Sequence, residues 1–190
     1  MAITENELDP SRSLQLISEV IAKTREDIKE HSFPFLLWGW LIAIASFSFF
    51  LLQVFTSFRF YFLPFPILAG AGIIATFYYY GKRRHISETW LGFYLKNLWL
   101  VLGISFLLVV FINVLRDSPP FTYTLLIGGI GTLVSGLVLR FKPLVFGGIL
   151  FLLLSVTSVF VTDSYKPVLQ AAAVIGGYLI PGYLLKYSKV

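Results

Sequence analysis

The sequence predicts an all-α protein, a polytopic transmembrane bundle of six helical spans preceded by a cytoplasmic amphipathic helix. Three observations carry this. Apolar residues make up 57% of the chain and charged residues only 13%, against roughly 25% charged in a soluble domain, so the surface must face lipid. Long apolar stretches recur at 33–54, 62–80, 97–115, 121–139, 144–161 and 168–185, each matching a hydrocarbon core of roughly 30 Å at about 1.5 Å per helical residue. The basic residues are also distributed by side, falling mostly in alternate gaps between these stretches. Transmembrane β-strands would need about ten residues with in/out alternation, and these runs are longer and apolar on all sides.

The gaps fix the expected orientation. Arg12, Lys23, Arg25 and Lys29 precede the first span; Lys82, Arg83, Arg84 and Lys96 lie in the second gap. Arg140 and Lys142 lie in the fourth gap, and Lys186 and Lys189 at the C-terminus. The other gaps hold only Arg59, Arg116 and Lys166. Basic flanks stay on the cytoplasmic side during insertion, so both termini are expected inside a plasma (inner) membrane crossed six times. Residues 1–32 are polar and partly acidic rather than a basic n-region with an apolar h-region, so the first span is expected to act as its own uncleaved insertion signal.

In chain order, residues 1–32 form the cytoplasmic segment and 33–190 the membrane domain. Asp9-Pro10-Ser11 supplies a helix start, because Asp or Ser accepts orphan backbone N–H bonds and Pro suits the first turn. A helix over 11–31 would align Leu14, Ile17, Ile21, Thr24 and Ile28 in one apolar stripe amid charge. Leu14, Ile17, Ile21 and Ile28 are its candidate partner-binding residues, for another protein or a second copy of the chain; lying on the membrane surface is the simpler role. In the second gap, Lys82, Arg83 and Arg84 can contact anionic lipid headgroups. Ser87-Glu88 would cap a helix carrying Trp90, Leu91, Phe93, Tyr94 and Leu95 into the third span. Trp38, Trp40, Tyr78, Tyr79, Tyr80 and Trp99 complete an inner aromatic belt.

The last four spans read as a duplicated hairpin, 95–141 and 141–187. A shift of 46 residues aligns Lys96 with Lys142, Asp117-Ser118 with Asp163-Ser164, Gly131 with Gly177 and Gly136 with Gly182, without a gap. The first hairpin fits only with a gap, Trp38-Gly39 opposite Phe146-Gly147. Repeats of two spans share one orientation, so three parallel hairpins are expected. Gly70 and Gly72; Gly128, Thr132 and Gly136; Gly147 and Gly148; and Gly176, Gly177 and Gly182 would let helix backbones approach. Pro181 is expected to bend the last span.

Chemistry is sparse. None of the six stretches contains Asp, Glu, Lys, Arg or His, which disfavours proton coupling and voltage sensing. Polar residues lean outward: Gln53, Asn113, Thr122, Thr124, Ser155, Thr157, Ser158 and Gln170. They fit either spans tapering into the wet interface or a shallow outward cavity. Asp117 and Asp163 are explained as turn caps. His31 and His85 have acidic neighbours but form no metal-ligand motif, and the chain has no cysteine. No cofactor, catalytic residue or nucleic-acid fold is indicated, since topology accounts for the net charge of +5.

The entry to the first span, Ser32-Phe33-Pro34-Phe35-Leu36-Leu37-Trp38-Gly39-Trp40, resembles that of uncharacterised small six-span integral membrane proteins of bacteria, of the Bacteroidota type. The resemblance implies no activity. The expected function is a non-enzymatic structural or regulatory membrane module with a cytoplasmic partner-binding helix; the alternative is a small channel or carrier for a neutral or lipid-like solute.

Overall fold

The computed structural model describes residues 29, 31–82 and 90–188, Trp90 by its backbone, and every regular element among them is helical. The expected amphipathic stripe of Leu14, Ile17, Ile21 and Ile28, together with Arg83, Arg84 and His85, lies outside the described residues. Helix α1 is Ser32–Phe55, α2 Pro64–Lys82, α3 Trp90–Leu115, α4 Phe121–Val138 and α5 Lys142–Val159. The final element is composite: a 3-10 turn at Asp163–Tyr165, α6 at Lys166–Val174, a π-helical turn at Ile175–Leu179 and α7 at Ile180–Lys186. Proline marks many of the starts, at the first residue of α2, just before α4 and at the second residue of α5, α6 and α7. At the first four of these positions its missing N–H costs no intrahelical bond and its fixed φ suits the first turn.

Five of these helices, Ser32–Phe55, Leu91–Leu115, Phe121–Val138, Lys142–Val159 and the composite Asp163–Lys186, are long and apolar enough to cross a membrane. Helix α2 has 19 residues, but Pro64, Pro66 and the Tyr78-Tyr79-Tyr80 run dilute its apolar character. The third helix begins earlier than the expected span at 97–115: Trp90 to Leu115 is one uninterrupted helix, 26 residues long.

In hydrocarbon, helices gain nothing by hiding apolar side chains from apolar surroundings, so contact distance decides which of them adhere. The closest pair is α4 with α5. A Cβ added to Gly136 would lie 2.6 Å from the Val145 nitrogen, and one added to Gly148 would lie 2.5 Å from the Leu133 nitrogen. Both neighbours are backbone and cannot swing away. Helix α5 meets the final span at Gly147, where a Cβ would stand 2.8 Å from the Gly177 carbonyl oxygen. Pro181 supplies no N–H to that carbonyl four residues before it, and the π-helical turn spans the same stretch. The expected bend at Pro181 thus takes the form of a locally widened turn.

Helix α1 lies along the final span, with Gly39 beneath Leu179 and Tyr178, and Gly182 beneath Leu36 and Phe35. Helix α2 packs on α1 and α3 on α4, while α2 and α3 share no substantial packing. Gly70 departs from expectation: a Cβ there would meet nothing within 4 Å, so no neighbouring helix requires glycine at this position.

Two of the connections use residues in the left-handed region. Asp117 has φ 51 and Arg140 φ 52. After α4, Phe141 N–H bonds the Gly136 carbonyl and Arg140 N–H the Leu137 carbonyl; after α3, Ser118 bonds Asn113 and Asp117 bonds Val114. This paired pattern satisfies the last carbonyls of each helix and usually places glycine where these two residues stand.

Two outcomes follow from this packing and can be read by thermal unfolding in one detergent. Gly148→Ala should cost about 1–3 kcal/mol by overpacking, whereas Gly70→Ala should be neutral or slightly stabilising; equal midpoints for the two would contradict the α4/α5 contact. Arg140→Gly should gain about 1 kcal/mol by relieving the left-handed backbone, and Arg140→Val should lose stability.

Candidate functional site

The centre of the bundle is closed by rings. Tyr178, on the π-helical turn, has its ring centroid 4.9 Å from that of Phe151, 5.8 Å from Phe35 and 6.2 Å from Trp99, and Phe35 also meets Trp99 edge-on at 5.9 Å. Edge-to-face pairs of this kind set the positive rim of one ring against the negative face of the next. The Tyr178 side chain lies beside that of Thr132, and Thr132 donates to the Gly128 carbonyl at 2.6 Å. A Cβ on Gly128 would press on both Phe151 and the tyrosine hydroxyl at 3.3 Å.

A second polar seam joins α4, α5 and α6 toward the end of the bundle that carries the 116–120 and 160–165 turns. Ser155 donates to the Thr122 carbonyl at 2.9 Å, and Ser158 lies 2.8 Å from Thr122 Oγ1 and 2.7 Å from the Ser155 carbonyl. Thr124 Oγ1 stands 2.9 Å from both the Phe121 carbonyl and the Gln170 amide. With the amide turned nitrogen-first, Gln170 donates to Thr124 while Thr124 donates to Phe121, and both contacts are hydrogen bonds. Thr124, Ser155, Ser158 and Gln170 are all buried. These residues neither taper into an interface nor line a cavity; they bind helix to helix. Asn113 is buried too and donates to the Val109 carbonyl at 2.8 Å, whereas exposed Thr157 donates to its own helix at Leu153. Ser46 Oγ and Gln53 Oε1 are buried without a hydrogen-bond partner.

Two side-chain pairs that meet between α4 and the final span are separated by 46 residues: Thr124, hydrogen-bonded to Gln170, and Thr132, beside Tyr178. The sequence shift that aligns the two hairpins therefore also names residues that touch. Equivalent residues meet in this way when a pseudo-twofold axis runs between the two elements that carry them.

A further repeated device joins α1 to α2 and α3 to α4. Trp38 Nε1 donates to Thr76 at 3.2 Å, and its ring covers Gly72 together with Leu41; Trp99 Nε1 donates to Ser135 at 3.1 Å, and its ring covers Gly131 together with Leu102. Glycine is needed beneath each indole because a Cβ would meet the ring at 3.1 Å in the first case and 2.8 Å in the second. The packing thus sets Trp38 opposite Trp99, whose partner at the 46-residue shift is Val145, one residue from the Phe146 expected from sequence. The missed signal is Trp-x2-Leu followed by Gly-x3-Thr/Ser, present in 38–76 and again in 99–135.

The sequence-aligned turns differ in detail. Asp117 closes the α3 turn in the left-handed region, whereas Asp163 opens the 3-10 turn and pairs with Lys166 at 2.6 Å. Of the residues assigned to anionic lipid, Lys82 ends α2 in an exposed position. Among the described residues no group of three or more His, Asp or Glu gathers. The serine and threonine hydroxyls of the seam are engaged with carbonyls and with one another, an arrangement that holds helices together and provides no base to activate a nucleophile.

Two shallow recesses mark the surface. One of about 490 Å³ runs along the last span and is lined by Leu179, Ile180, Tyr183, Leu184, Tyr187 and Ser188. The other, of about 160 Å³, is lined by Val109, Ile112, Asn113, Arg116 and Tyr123. No protein family, curated protein or solved structure matches the chain. The resemblance at residues 32–40 therefore brings no named relative with it.

The Thr132–Tyr178 contact is measurable by a double-mutant cycle. Thr132→Val and Tyr178→Phe, singly and together, should show a coupling of about 0.6–1.7 kcal/mol, the range for hydrogen bonds between helices in membranes. Additive effects on unfolding in detergent would place the two hydroxyls in separate environments.

Proposed function

We propose that the chain is an integral membrane protein of six spans in three parallel hairpins, with both termini cytoplasmic. It serves as a non-enzymatic structural or regulatory module of a bacterial inner membrane. The observation that carries this reading is the filled centre: Phe35, Trp99, Phe151 and Tyr178 occupy the space in which a permeation path would run. Buried polar side chains are used to fasten helices, which suits a rigid platform. The indole-over-glycine contacts in the first two hairpins and the touching 46-residue pairs in the last two support the three-hairpin arrangement. On this platform the N-terminal stripe of Leu14, Ile17, Ile21 and Ile28 is the working surface, offered to a cytoplasmic or membrane protein partner or to a second copy. Lys82, Arg83 and Arg84 steady the inner face on anionic lipid.

The carrier for a neutral or lipid-like solute is the second reading, and the π-helical turn beside Pro181 favours it, because such turns are frequent where helices work as well as where they merely pack. Removing residues 1–30 separates the two. The module reading expects a stoichiometric protein partner that co-purifies with the full chain in mild detergent and is lost from the truncated one. Solute flux in vesicles that is unchanged by the truncation and raised or abolished by Tyr178→Ala would favour the carrier.

Orientation has its own measurement, helped by the absence of native cysteine. Ser57→Cys and Ser118→Cys should react with an impermeant thiol reagent on intact cells, and Ser188→Cys only after permeabilisation. The reverse pattern would invert the topology.

A further inference from the structure

The smaller recess is chemically two-sided. Val109, Ile112 and Asn113 occupy one face of α3 at spacings of three and four residues, Arg116 follows in the turn just past its end, and Tyr123 joins them from the first turn of α4. Along that face the lining changes from aliphatic to cationic as α3 approaches its end. Asn113 is 8% exposed and spends one amide N–H on the Val109 carbonyl, which leaves its second N–H as a donor. Arg116 forms no ion pair among the described residues, in contrast to Lys166, which pairs with Asp163 at 2.6 Å. Neighbouring Asp117 is the left-handed residue of the turn, with its N–H bonded to Val114. The polar groups of the recess are thus mainly donors: the planar fork of Arg116, the Tyr123 hydroxyl and the Asn113 amide. Ile112 is 50% and Tyr123 52% exposed, so the recess opens sideways, to the surroundings that lipid would fill.

Donors above an aliphatic floor fit an oxyanion carried on an apolar body. Arginine binds phosphate oxygens in a two-pronged, charge-assisted manner and keeps its stem on apolar surface while its head reaches the boundary. We propose that this recess is a binding site for the phosphate group of a membrane phospholipid, with Arg116 and Tyr123 holding the phosphate oxygens and Val109 and Ile112 lying against the first part of the acyl chains. The site stands on the membrane reading and is independent of the partner and carrier readings. It places a lipid at the end of the bundle opposite Lys82, where α3 leans on α4 alone of the helices that follow it.

The test uses the full chain in mild detergent, with native mass spectrometry after addition of a single phosphatidylglycerol species. The intact protein and Arg59→Gln should retain one lipid to the same extent, whereas Arg116→Gln should lose it about tenfold. Arg116→Lys should keep part of the retention, which separates charge from the arginine fork. Val109→Trp, which fills the recess and leaves the arginine in place, should also lose it. Diacylglycerol of the same chains should not be retained; equal retention would show that only acyl chains are recognised and would overturn the site. Displacement of the lipid by millimolar inorganic phosphate would assign the recess to a soluble anion and overturn the lipid assignment. If thiol labelling gives the six-span topology and Arg116→Gln still retains lipid, the site fails while the membrane reading stands.

Discussion

The structure depends on how closely two backbones can come together. In water, a helix pair adheres because apolar faces leave the solvent; in hydrocarbon that gain disappears and only short-range contact and polar pairing remain. The α4/α5 pair answers this constraint with Gly136 set against the Leu144–Val145 backbone and Gly148 against that of Leu133. That pair is the keel of the molecule. Gly147 then receives the final span at Gly177, the final span receives α1 at Gly39 and Gly182, and the outer helices α2 and α3 fasten to the assembled centre.

Polar groups follow the same economy of distance. The serines and threonines of the α4/α5/α6 seam lie close to a carbonyl or another hydroxyl, and among the described residues no Asp, Glu, Lys or Arg is buried in the packed interior. An unpaired hydroxyl in such surroundings is costly, but a paired one fixes register as well as adding adhesion. Thr124 with Gln170 and Thr132 with Tyr178 are spaced by eight residues on each partner. Two contacts so far apart along one pair of elements set how far one slides past the other.

Much of the fold was legible in the sequence because length, apolarity and proline position are local properties. The helices at 33–54, 121–139 and 144–161 were visible as runs, and the starts beside Pro64, Pro120, Pro143 and Pro167 follow from one missing N–H. The 46-residue shift could also be read there, since identities mark it. What could not be read was orientation about each helix axis. In an all-apolar span every face looks alike, so nothing local told Gly72, which lies under an indole, from Gly70, which meets nothing. The polar residues Thr124, Ser155 and Gln170 stand out in the sequence because they lie near span ends, but depth along a span does not set exposure. Their partners stand on other helices, so their burial emerges only in three dimensions. The recess around Arg116 was hidden likewise, because its fifth member, Tyr123, comes from the next helix.

The two indole contacts carry an experimental convenience. Trp38 is hydrogen-bonded within the α1/α2 pair and Trp99 within the α3/α4 pair, and indole emission shifts with the polarity and hydrogen bonding of its N–H. Each pair of helices therefore contains its own optical gauge, placed where the helices touch. With the remaining tryptophans replaced, the colour of emitted light from one indole at a time would distinguish a hairpin that opens alone from a bundle that comes apart as a whole.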